Sequence, residues 1–166
     1  MTDEKVYEPL LDIENVLPIL SKISILAGLS DKQLYALFRL LKKVKYSAGE
    51  TVFEQGQQPS HIYIIQTGKV KLIATHNDTP FELVAFEQGQ CFGESSVIGI
   101  QTHAATAIAV EDLELIVLSR NTLLSIYESD LELFSILILN IAREACRRLR
   151  SSSEVILHYV KKSNNQ

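Results

Sequence analysis

Cysteine is scarce in this chain, and its scarcity narrows the options. The two cysteines, Cys91 and Cys146, lie far apart and form no Cys-x-x-Cys pair. Neither a disulfide framework nor a thiolate metal site is expected, and both thiols read as reduced and structural. The four histidines, His61, His76, His103 and His158, show no metal-ligand spacing. Gly93-Glu94-Ser95-Ser96-Val97 lacks the second glycine of a nucleophile elbow, so the chain carries no recognisable catalytic constellation and reads as a non-enzyme. No run of 18 apolar residues exists to span a bilayer, so no membrane contact is expected. The opening stretch, MTDEKVYEPLLDIEN, is acidic and lacks a secretory hydrophobic core, which predicts a cytoplasmic location. Basic residues do not dominate either. Sixteen Lys and Arg stand against 20 Asp and Glu, for a net charge of −4 and a pI near 5.6, a balance that argues against general affinity for nucleic acid. There is no internal repeat and no low-complexity segment.

What is present is enough for one folded domain. The chain has 166 residues, 46% of them hydrophobic. A single domain over residues 10–160 is expected, with residues 1–9 and 161–166 flexible. Three regions differ in period. Residues 10–45 read as a helical lead-in, with Leu34, Leu37, Phe38 and Leu41 at helical spacing. Ser30-Asp31-Lys32-Gln33 looks like a capping box, and Gly28 suits the end of a preceding short helix. Residues 46–118 turn to short β-rich runs, including Thr51–Phe53, Ile62–Ile65, Val70–Ile73, Leu83–Phe86 and Leu113–Leu118. Glycines, Pro59 and His76-Asn77-Asp78 punctuate them. This pattern predicts a two-layer β-barrel or sandwich.

Residues 119–160 return to helix. Phe134, Leu137, Ile138, Ile141, Ala145, Leu149, Ser152 and Ile156 step by three or four. The stripe is longer than a small barrel needs for cover. It predicts a partner helix, as in a dimer seam. The other arrangement that satisfies it is a helix that bends and packs entirely on its own barrel. Arg143, Arg147, Arg148 and Arg150 crowd the same stretch and read as a solvated basic face.

Between two strands lies Phe92 to Thr106, a segment with a glycine, a carboxylate, two serines and small alanines. Ser95-Ser96-Val97-Ile98 can start a short helix, whose first N–H groups lack partners and favour an anion. Gly93 allows close backbone approach. Glu94 repels phosphate but accepts hydrogen bonds from sugar hydroxyls. Anion-binding amides beside a carboxylate suit a ribose phosphate.

These residues resemble the cyclic nucleotide-binding domain family. Ser47-Ala48-Gly49-Glu50, Glu54-Gln55-Gly56, Ile64-Ile65-Gln66-Thr67-Gly68-Lys69-Val70 and Gln88-Gly89-Gln90-Cys91-Phe92-Gly93-Glu94 fall in the family's order and spacing. The resemblance implies an α+β fold: a β-barrel or jelly roll (double-stranded β-helix) between N-terminal helices and a long C-terminal helix. It implies a ligand site at Phe92, Gly93, Glu94, Ser95, Ser96, His103, Ala104 and Ala105, with Gly93 and Glu94 at the ribose 2′-hydroxyl. Amides at Ser96 and near Ala104-Ala105 would hold the cyclic phosphate. Ala104 stands where cGMP-preferring members often carry threonine, which points to cAMP. Ser152 and Ser153 align with the adenine-contacting threonine and serine on the dimerisation helix of the cAMP receptor proteins, the second reaching across from the opposite subunit; the bland alternative is two solvated helix serines. No cofactor beyond this ligand is expected, and nothing singles out a haem ligand. Only 13 residues follow Ser153, too few for a helix-turn-helix module. Signalling through an unknown downstream protein, without direct DNA binding, is therefore expected.

One position departs from the family. Its phosphate-binding arginine aligns with His103. Arginine offers a permanent charge and a bidentate fork, whereas histidine offers one donor and charges only near pH 6.5. A hydrogen bond to a charged group contributes roughly 1.5–3 kcal/mol, so its loss weakens binding about 10- to 150-fold. Three outcomes follow from the substitution: His103 substitutes for arginine and cAMP binds more tightly as pH falls from about 8 to 6; the cradle is vacant and the fold serves as a scaffold; or the cradle takes a different anion.

Overall fold

The computed structural model describes residues 5–163. Elements in chain order are β1 (Glu8–Pro9), α1 (Asp31–Phe38), β2 (Lys42–Tyr46), β3 (Thr51–Phe53), β4 (His61–Thr67), β5 (Val70–His76), β6 (Thr79–Phe86), β7 (Cys91–Phe92), α2 (Glu94–Gly99), β8 (Thr106–Ala109), β9 (Leu113–Ser119), α3 (Arg120–Ser129) and α4 (Leu131–Ser163). Two antiparallel sheets form the jelly roll. One runs β1-β2-β9-β4-β7 and the other β3-β8-β5-β6. No helix among the described residues is long and apolar enough to cross a membrane.

Alternation explains how both sheet faces are used. Along β4, Ile62 and Ile64 face the helices while Tyr63 and Ile65 face the barrel interior; along β9, Ile116 and Leu118 face the helices while Leu115 and Val117 face inward. The helix-facing residues therefore form the floor on which α3 and the first half of α4 sit, and the inward-facing residues fill the roll. The hairpin β5–β6 closes through Asn77 and Asp78, both at positive φ, with His76 paired to Thr79. That is the backbone a two-residue hairpin requires for its twist.

Several expectations meet the structure directly. Ser30 caps α1: its hydroxyl accepts from the Gln33 amide at 3.3 Å and the Gln33 side chain accepts from the Ser30 amide at 2.9 Å. The lead-in differs in kind. Residues 13–26 wind as short 3-10 turns rather than α-helix, with a proline at the start of Leu17–Lys22. The β region also begins earlier, at Lys42, because Val44 and Tyr46 alternate inward between outward lysines. Within the segment expected to be flexible, Glu8 and Pro9 pair with Lys43 and Lys42, and Leu10 beside them is buried. Residues 1–4 and 164–166 lie outside the described residues.

The helical stripe of the C-terminal region divides. Leu137 and Ile141 are buried on the barrel, whereas Leu149 and Ile156 are 70% and 62% exposed. Asn140 fastens the root of α4, donating to the carbonyls of Ile25 (3.1 Å) and Ala27 (2.7 Å). From Ser151 on, the described side chains of α4 are exposed.

Candidate functional site

The cradle is built where β7 ends. Phe92 is fully buried, opposite Tyr63 in the ladder. The chain then reverses through Gly93 at φ +82°, which caps α2. A Cβ at this glycine would lie 3.1 Å from both the His61 carbonyl and the Tyr63 ring, so both conformation and space require glycine here. The turn drops Glu94 into the interior at 1% exposure. Ser95 is exposed and Ser96 half-buried in the first turn of α2.

The strand entry His103-Ala104-Ala105 is joined to this turn through Phe53, whose ring contacts those of both Phe92 and His103. The main chain of His103 is pinned on both sides: its N–H donates to the Gln57 carbonyl at 2.9 Å, and its carbonyl accepts from Gly56 at 2.8 Å. Its imidazole is 4% exposed and stacks on Phe53, with ring centres 3.6 Å apart and planes 10° from parallel. Burial lowers its pKa below the usual 6.5. Burial thus favours the neutral ring and works against its charging over the pH 8 to 6 range. Ala104 is exposed at the rim and Ala105 is buried.

Arg148 is the residue that sequence reasoning placed elsewhere. It is not part of a solvated face. Its Nη1 donates to Glu94 Oε1 at 2.5 Å, its Nη2 donates to the Cys91 carbonyl, and its Nε lies 3.4 Å from Glu144 Oε1. The guanidinium also lies over the Phe86 ring, 4.6 Å from its centre. The signal was in the spacing: Leu137, Ile141, Glu144 and Arg148 step by four, three and four along the face of α4 that meets the body. Arg147 and Arg150 do fit the solvated reading, with 60% and 84% of their side-chain surface exposed.

Glu94 therefore has one oxygen bound to Arg148 and one, Oε2, buried without a hydrogen-bond partner. Burial raises its pKa, and the charge of Arg148 opposes that rise. Burial, then the nearby Glu94 charge, push the Cys91 thiol up to about 12, which leaves it unreactive. The structure brings together Phe92, Gly93, Glu94 and, unexpectedly, Arg148. Ser152 and Ser153 stand exposed one turn farther along α4, and the Ser153 hydroxyl donates to the Leu149 carbonyl at 2.9 Å.

Comparison with known proteins gives the same assignment. The chain is 29% identical over 126 residues to the cyclic AMP receptor protein of Thermus thermophilus, a match covering 75% of this chain and 56% of that protein. It is 28% identical over 119 residues to the cGMP-dependent protein kinase of Plasmodium berghei, covering 71% of this chain and 13% of the kinase. The chain thus spans little more than half of the first relative and a small part of the second. In fold it is similar to the crystal structure of a cyclic nucleotide-binding domain from Methylobacillus flagellatus, with a TM-score of 0.81 and 21% identity over 93% of this chain and 87% of that one. The profile of the cyclic nucleotide-binding domain matches residues 43–130, and on these grounds the chain belongs to the cyclic nucleotide-binding domain family.

Proposed function

We propose that this chain is a non-enzymatic cAMP sensor in which α4 is the lid. The observation that carries the reading is the second oxygen of Glu94. A buried carboxylate oxygen with no partner costs about 1–3 kcal/mol. A ribose 2′-hydroxyl would remove that cost, while Glu94 Oε1 stays on Arg148. Arg148 also supplies what His103 does not: a permanent cation at the cradle, next to where an anionic ligand would sit. Amides in the first turn of α2, such as that of Ser96, with those near Ala104-Ala105, would complete the phosphate contacts. Ala104 offers no hydroxyl toward a guanine, which favours cAMP over cGMP.

The lid follows from burial. Glu94 Oε2 is shielded from water, and Arg148 reaches over it from α4. A ligand that enters must shift this arm and then be held by it. Such a ligand binds one position of α4 better than another, and that difference is what a switch needs. The far half of α4 would carry the response. Leu139, Ala142, Cys146, Leu149, Ser153, Ile156 and Val160 form a heptad seam, exposed on the side away from the barrel. Leu139 and Val160 are 53% and 50% exposed. A second copy, packed in parallel, would cover it. Val155 and Leu157 lie off that seam, 54% and 57% exposed, where a separate downstream protein could read the shift.

The competing reading, a ligand-free scaffold, draws on the buried neutral ring of His103. Calorimetric titration of ligand-stripped protein with cAMP and cGMP at pH 8 and pH 6.5 separates the two. The sensor reading expects saturable cAMP binding, tighter than cGMP. It also expects little change between the two pH values, because the working cation is an arginine. Absence of heat from folded protein with either nucleotide supports the scaffold.

A further inference from the structure

The segment before the jelly roll is fastened more firmly than its position requires. Lys5 Nζ pairs with Glu50 Oε2 at 2.6 Å and lies 4.7 Å from the centre of the Tyr46 ring. Glu8 and Pro9 add a short edge strand, and the Leu10 amide donates to the Leu41 carbonyl at 3.2 Å. Between these ties, Tyr7 stacks on His61 with ring centres 4.8 Å apart and planes 9° from parallel. Burial, and next the neighbouring Tyr7 phenol, push both Tyr46 and Tyr63 well above the usual tyrosine range. Tyr7 therefore sits in a cluster of phenols at the edge of the roll.

That cluster backs directly onto the cradle. His61 contacts Tyr63 at 5.9 Å, and Tyr63 stacks on Phe92 at 5.0 Å, with planes 14° apart. The His61 carbonyl and the Tyr63 ring are also the two groups that a Cβ on Gly93 would strike. On its other side Tyr63 meets Phe53, which carries the ring of His103. One continuous set of rings thus runs from Tyr7 to both walls of the cradle.

We propose that Tyr7 is a positioning residue for the ligand site: it clamps His61 and Tyr63, which in turn fix the Phe92-Gly93-Glu94 turn. The affinity part of this proposal rests on the cAMP reading above, whereas the positioning part does not. Hydrogen exchange in the ligand-free protein therefore tests it separately. Tyr7→Leu removes the ring and keeps apolar bulk; Tyr7→Phe keeps the ring and removes the phenol. The amides of 92–97 are expected to exchange at least tenfold faster in Tyr7→Leu, with the β2–β9 ladder unchanged, and to return close to wild type in Tyr7→Phe. cAMP affinity is expected to fall about three- to tenfold in Tyr7→Leu, in line with the worth of an aromatic pair. Equal exchange at 92–97 in all three proteins overturns the proposal, as does acceleration spread evenly over the fold. If wild type binds no cAMP, the nucleotide reading fails, and the exchange data alone decide the role of Tyr7.

Discussion

Replacing Arg148 with alanine isolates the contact between α4 and the Phe92-Gly93-Glu94 turn. The variant leaves Glu94 at 1% exposure with neither oxygen paired to a cation. Removing one member of a buried ion pair costs about 3–5 kcal/mol. Arg148 keeps 29% of its side-chain surface in water, against 2% for Glu94, so screening places this pair at the lower end, about 2–3 kcal/mol. Loss of the contact with the Phe86 ring adds ~0.5–1 kcal/mol. Urea unfolding at one fixed protein concentration, followed by circular dichroism, should show a deficit of about 3 kcal/mol at pH 7.5. The sign with pH is set by Glu94. Burial already raises its pKa in the folded chain, and losing the guanidinium raises it further. The ion-pair part of the deficit is therefore absent below the folded pKa of Glu94 in wild type, which burial already holds above the ordinary carboxylate value, and grows as pH rises from there toward the higher folded pKa of the variant. Near pH 4.3 the losses of the Phe86 contact and of the hydrogen bond to the Cys91 carbonyl, about 1–2 kcal/mol together, should remain. Glu94→Gln should abolish most of this pH dependence in the double variant. A deficit under ~0.5 kcal/mol at pH 7.5, or one that does not change with pH, would show that Arg148 does not hold the charge of Glu94 in the folded chain.

Gly93→Ala forces a left-handed backbone and a 3.1 Å approach to Tyr63 and the His61 carbonyl; it should cost about 2–3 kcal/mol in urea unfolding and abolish detectable cAMP binding by calorimetry. His61 and His103 both have folded pKa values lowered by burial, so the stability they contribute is complete above pH 6.5 and is lost as pH falls through that value toward their folded pKa values. Thermal unfolding from pH 7.5 to 5 should show this loss, and His103→Phe, which keeps the stack on Phe53, should shrink it. Leu149→Glu places a charge at the middle of the exposed heptad seam and should shift the proposed parallel dimer to monomer by analytical ultracentrifugation without lowering the melting temperature of the barrel by more than a few degrees.

The fold was legible where period is strong. Thr51–Phe53, the hairpin at His76-Asn77-Asp78, the Ser30 capping box and the Phe92-Gly93-Glu94 turn all appear as local patterns because backbone chemistry alone sets them. The 3-10 lead-in was not, since its apolar spacing fits helix and its turns are fixed by contacts with α4, such as Asn140 to Ile25 and Ala27. β2 was masked by three lysines in a five-residue strand. At the site, Gly93 and Glu94 were readable from their neighbours. Arg148 was not, because its four-three-four relation to Ile141 and Leu137 ends in a charge, and a charge on a helix reads as solvated until a buried carboxylate is seen opposite it. The single stripe along α4 proved to be two faces, one for the barrel and one pointing away. Residues about 3.5 apart drift slowly around a helix, and without the barrel nothing marks where one face ends.

The most direct measurement compares cAMP with 2′-deoxy-cAMP by calorimetry on ligand-stripped protein at pH 7. The two differ by the hydroxyl assigned to Glu94 Oε2. Saturable binding of cAMP, with the deoxy analogue weaker by about tenfold or more, is the predicted result. Equal affinity for the two, or no heat with either from folded protein, contradicts the account.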